Sequence, residues 1–127
     1  MSEIADEEWL SMDSNTTGSD NVAVGQGALI CNTVGNSNTA VGREALNLNT
    51  ASNNTAVGFC SLRSNTTGTK NAALGSYSLQ NNLASETTAL GHRALQANTT
   101  GGGNTALGYV ALVFNTTGIR NTADGCK

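Results

Sequence analysis

The chain has 127 residues, room for one domain of ordinary size, and Asn, Thr, Ser, Gly and Ala supply about 60% of them. Leu, Ile, Val and Phe supply only about a fifth, there is no Pro, and charged residues are 12% with a net charge of -3. So low an apolar content excludes a conventional globule around one large core, the small charge argues against simple disorder, and a pI of about 4.8 lacks the basic footprint of a nucleic-acid module.

In chain order, residues 1–14 form an acidic N-terminal segment. Glu3, Asp6, Glu7, Glu8 and Asp13 stand there without a base, interspersed with Ile4, Trp9, Leu10 and Met12. The segment reads as a solvated terminus, as a cap for the first rung of a repeat domain, or as an adapter that docks on a larger assembly with Trp9 as anchor. It has no basic n-region or apolar h-region, so the expectation is synthesis in the cytoplasm without a signal peptide, and sequons such as Asn65-Thr66-Thr67 are expected to stay unglycosylated. No apolar run approaches the roughly 18 residues of a membrane span, so no membrane insertion is expected.

Residues 15–127 are a repeat. Aligned on Gly25, Gly42, Gly58, Gly75, Gly91, Gly108 and Gly125, the units are 16 or 17 residues long and read N-T-T-G-x-x-N-T-A-[VL]-G-x-x-[AS]-L-x-x. Ala stands two before each of these glycines. Leu stands four after it (Leu29, Leu46, Leu62, Leu79, Leu95, Leu112) and Asn seven after it (Asn32, Asn49, Asn65, Asn82, Asn98, Asn115). The one-residue length difference falls in one loop: the longer units carry Gly35, Gly68, Gly101 or Gly118 there, the shorter ones Ser52 or Ser85. The expectation is that the longer turn needs a positive φ and hence Gly. So short a unit fits two strands, N-T-A-V-G and x-x-A-L-x, joined by two turns, each unit making one rung of an all-β parallel β-solenoid of about seven rungs. Stacked Asn and Thr columns are expected to satisfy turn backbone groups.

Strand parity then assigns faces. Ala40 and Val41 are adjacent, as are Ala45 and Leu46, so each strand carries apolar residues on both faces. The larger columns are expected inside: Val41, Val57, Leu74, Leu90 and Leu107, together with Leu29, Leu46, Leu62, Leu79, Leu95 and Leu112. The small column Ala40, Ala56, Ala73, Ala89 and Ala106 is expected outside, as a flat contact with further copies of the chain.

Units such as Asn38-Thr39-Ala40-Val41-Gly42 resemble the head repeats of trimeric autotransporter adhesins, and their alternation with Asn65-Thr66-Thr67-Gly68 resembles repeats of bacteriophage tail-fibre and host-attachment proteins. The resemblance covers about residues 15–125. It implies a left-handed parallel β-roll, a homotrimer around a common axis, and a role in host-surface attachment on a virion or extracellular surface; residues 1–14, outside the resemblance, are the candidate contact with a larger viral particle. Asp124 breaks the Val/Leu column in the last unit, as a polar end cap or a frayed end would.

No catalytic, cofactor-binding or metal-ligating set is expected, and the chain is read as a non-enzyme. His92 has no nucleophile or orienting acid in the pattern, Glu44 and Glu86 are isolated, and Gly101-Gly102-Gly103 is followed by no phosphate-binding Lys. Cys31, Cys60 and Cys126 match no metal or disulfide framework and are expected to be free thiols. The variable positions after each repeat Gly hold Gln26, Arg43, Phe59, Tyr77, His92, Arg93 and Tyr109. Of these Phe59, Tyr77, His92, Arg93 and Tyr109 are the candidates for contact with a cell-surface glycan or protein receptor. Two other readings are an ice- or ordered-surface-binding solenoid built on Thr39, Thr55, Thr88, Thr105 and Thr122, and an inert spacer in a larger particle.

Overall fold

The computed structural model describes residues 10–126. Seven three-residue strands form one parallel sheet: β1 (Val22–Val24), β2 (Thr39–Val41), β3 (Thr55–Val57), β4 (Ala72–Leu74), β5 (Thr88–Leu90), β6 (Thr105–Leu107) and β7 (Thr122–Asp124). Each pairs only with its sequence neighbours, and the repeat columns lie in register: Ala40 against Ala56, Ala56 against Ala73, and so along the sheet. The fold is an all-β parallel solenoid, one repeat per coil. Trp9 and the acidic residues before it lie outside the described residues. Residues 10–14, expected to belong to the N-terminal segment, already follow the coil path: Leu10 accepts from the Gly27 amide at 2.8 Å, Met12 donates to Ala28 at 3.0 Å, and Met12 packs on the core.

Each coil has one strand, not two. The x-x-A-L-x segment is a series of turns in which Leu29, Leu46, Leu62, Leu79, Leu95 and Leu112 all take φ between 49° and 53°. The residue two before each is also left-handed, for example Glu44, Cys60 and Tyr77. The segment still bonds coil to coil, as from the Leu62 amide to Ser78 at 3.0 Å and from Leu79 to Ala94 at 3.0 Å. Strand alternation therefore does not apply there. The left-handed twist at Leu turns two successive side chains to the same side, so Ala45 and Leu46, or Ala94 and Leu95, are both fully buried.

This reverses the expected roles in the true strand. With Leu and Ala (or Ser61 and Ser78) already entering from the turn segment, a 16- or 17-residue coil has space for only a methyl from the strand wall. The strand Ala residues fill it: Ala40, Ala56, Ala73, Ala89 and Ala106 are 0–2% exposed within the single chain, so they are core and not subunit contacts. The Val/Leu column, expected inside, points out. Val24, Leu74, Leu90 and Leu107 are 57, 52, 48 and 39% exposed, and Val41 and Val57 are half-buried. Leu29, Leu46, Leu62, Leu79 and Leu95 are fully buried, and Leu112 is partly so.

The remaining interior is polar and is satisfied by two Asn columns. In the long loops the Gly carbonyl is clamped by two carboxamides, as Gly68 is by Asn65 and Asn54, both at 2.8 Å. In the short loops the carbonyl of Ala51 or Ala84 takes that place, between Asn38 and Asn49 or between Asn71 and Asn82. The Oδ1 atoms of Asn21, Asn38, Asn54, Asn71 and Asn104 each accept the backbone amide one coil on, at 2.8–3.0 Å. The loop Gly does not answer a positive φ. Gly35, Gly68, Gly101 and Gly118 avoid that region; the left-handed residue lies two positions on, at Ser37, Lys70, Gly103 or Arg120, and in the short loops directly after Ser52 and Ser85, at Asn53 and Glu86. Gly68 is required because a Cβ there would sit 2.0 Å from the Ala84 carbonyl oxygen of the next coil. Corner Thr hydroxyls bond to the following coil, as Thr50 does to Thr66 at 2.9 Å.

Candidate functional site

Two ordered surfaces remain uncommitted once the core is filled. The first is the outer face of the sheet, where each strand presents its first and third residues. The third-residue column is the exposed Val/Leu stripe. The first-residue column is Thr39, Thr55, Thr88, Thr105 and Thr122, with Val22 and Ala72 in the other two strands. Unlike the corner threonines, none of these five donates a hydrogen bond among the described residues. Ala72 lacks the bulk of its neighbours and leaves a shallow groove of about 170 Å³, lined by Thr55, Val57, Ala72, Ala73, Leu74, Thr88, Ala89 and Leu90. A continuous apolar stripe on so small a protein is the usual mark of a contact surface.

The second surface is the corner that follows each strand glycine. At Gly58 the chain turns with φ +128°, and a Cβ would lie 2.7 Å from the Gly75 carbonyl carbon, so coils stack here backbone on backbone. That close stacking brings the next side chains into a ladder. The ring centroids of Phe59 and Tyr77 are 5.3 Å apart, those of Tyr77 and His92 6.0 Å, and those of His92 and Tyr109 5.7 Å. The structure thus brings together the four rings named from the sequence, with Arg93 beside His92. Sequence reasoning missed the polar residues that flank them. Arg93 Nε donates to Gln96 Oε1 at 2.7 Å, and Gln96 Nε2 donates to Gln80 Oε1 at 2.8 Å. One signal lay in the sequence: Arg63, Gln80 and Gln96 all stand five residues after a repeat glycine.

Next to this corner, Glu44 Oε2 accepts from Arg63 Nε at 2.8 Å and from the Cys60 thiol at 3.5 Å. The Arg63 hydrogen bond holds the Glu44 carboxyl below its ordinary range against the opposing effect of burial. Burial first, and then the hydrogen bond to Glu44, push the Cys60 thiol up, so it stays protonated at neutral pH. Cys60 is buried, whereas Cys31 and Cys126 are exposed, and all three are free. Among the described residues no group of three or more His, Cys, Asp or Glu could hold a metal ion, and no helix is long and apolar enough to cross a membrane. A second groove of about 350 Å³ lies where the short Ala84–Ser85 loop is flanked by Gly102, Gly103, Ile119 and Arg120.

The fold and these two surfaces define a parallel β-solenoid with one apolar sheet face and one aromatic corner. Comparison with protein-family models, with curated proteins and with solved structures finds no match.

Proposed function

We propose that the chain is a non-enzymatic attachment unit of a fibre or head, of the viral tail-fibre kind that its repeats resemble, and that it works as a homotrimer. The observation that carries this reading is the exposed Val/Leu stripe. It runs the length of the sheet, in register, with no charge before Asp124, and none of the described residues covers it. Three such faces around one axis would bury the stripe, in place of the Ala contact expected from the sequence. They would also present three identical corner strips to a surface, raising avidity without a strong single site. Sedimentation equilibrium of the protein tests the assembly: a mass three times that of the chain supports it, and a stable monomer refutes it.

A second reading is binding to an ordered surface such as ice. It is favoured by the five strand threonines, whose hydroxyls make no bond among the described residues and which, except across Ala72, repeat at the strand spacing of about 4.8 Å. A thermal-hysteresis measurement separates the two, because a face buried in a trimer gives no activity.

A further inference from the structure

The corner strip has a geometry of its own. Phe59 meets Tyr77 at 90° and Tyr77 meets His92 at 82°, whereas His92 and Tyr109 are within 10° of parallel. Perpendicular rings cannot both lie flat on one another, so at each crossing one ring turns a face away from the ladder. The rings remain accessible: Tyr109 is 62% exposed and Phe59 36%, and His92 is exposed as well. Beside them lie planar polar groups already held in place, the Arg93–Gln96–Gln80 chain and the Glu44–Arg63 pair. Among the described residues the charge on this corner leans positive: of their five Lys and Arg, Arg43, Arg63 and Arg93 stand on it or against it, and the carboxylate there is that of Glu44, which Arg63 engages.

We propose that this strip binds an anionic polysaccharide lying along the solenoid axis, which deepens the attachment reading and rests on it. A sugar ring offers a C–H face to an aromatic face and hydroxyl edges to amides and guanidinium groups, the combination arrayed here. Carboxylates carried along the saccharide would meet Arg43 and Arg93 in charge-assisted hydrogen bonds. The backbone is bonded coil to coil, so the side chains start from fixed positions and little ordering is needed on binding. A nucleic acid would call for a denser array of cations, and a protein partner for a central pocket to take an anchor side chain.

The test is calorimetric titration of the whole protein with oligogalacturonate as the anionic probe, and with a neutral glucan oligomer of equal length, alongside sedimentation of each sample. Oligogalacturonate is expected to bind, more weakly as salt is raised, and about tenfold more weakly to Tyr109→Ala or Arg93→Gln. Both side chains are exposed, so both variants should fold and assemble as the parent does. No binding by the parent, equal binding of the neutral oligomer, or unchanged binding by both variants would overturn the proposal. If the parent is trimeric and binds no saccharide, the assembly reading stands and this one falls. If the parent is a monomer that binds as described, the strip stands and the trimer falls.

Discussion

Thr87 shows how much one side chain matters in the inner polar columns. It occupies an Asn position, accepts no amide from the next coil, and bonds instead to Ser85 at 3.2 Å. The relay through Asn54 and Asn71 ends there and resumes at Asn104. Thr87→Asn should restore it and raise stability by about 1 kcal/mol, measured as a shift of the denaturation midpoint. Asn65 has a related defect. Its Oδ1 is buried without a partner: Asn82, the matching residue of the next coil, donates to Ala84. Cys60 gives a chemical test: alkylation at neutral pH should modify Cys31 and Cys126 in the native protein and reach Cys60 only on unfolding, because its thiol is buried and kept protonated. The Glu44–Arg63 pair gives a pH test. Because the folded carboxyl titrates below its ordinary value of 4.5, its contribution is present above that pH and lost as pH falls through the lower folded value. Both side chains are about a third exposed (30% and 37%), so the loss should be under about 1 kcal/mol, absent in Glu44→Gln.

At the scale of the element, the central fact is the left-handed Leu. Placing a Leu at positive φ costs roughly 1–2 kcal/mol, and the fold does so in six successive coils. Burial of the side chain, complete in five of the six and partial at Leu112, offsets it, at about 1.5–3 kcal/mol for each fully buried one. Leu79→Ala should therefore cost about 2–5 kcal/mol, read by chemical denaturation, because its neighbours are tied to adjacent coils and cannot collapse into the cavity. The same residue explains what the sequence made legible and what it hid. The period, the in-register columns and the parallel solenoid all follow from the repeat of Leu, Asn and Gly. The faces do not, because strand alternation fails across A-L, where the backbone is a turn. Once Ala45 and Leu46 both enter the core, Ala40 must be the inward residue of its strand and Val41 the outward one. Loop glycines mislead for a similar reason: Gly68 answers a contact one coil away, which its own unit does not display.

At the scale of the molecule, coils are joined by backbone bonds on every side, so stability is a sum over neighbouring coils. The apolar residues are too few for one large core. Those that recur in every coil are divided between a thin inner column of Leu and Ala and an outer stripe of Val and Leu. The aromatic corner, partly legible as a set of variable positions, becomes a surface only because close glycine stacking sets its rings 5.3–6.0 Å apart. The inner column makes the single chain, and the outer stripe is the part assigned to assembly. Sedimentation equilibrium of Leu90→Glu beside the parent protein, with circular dichroism of both, tests that division most directly. A trimeric parent and a monomeric variant with an unchanged spectrum are the expected result. A variant that unfolds outright, or one that remains a trimer, would contradict the division.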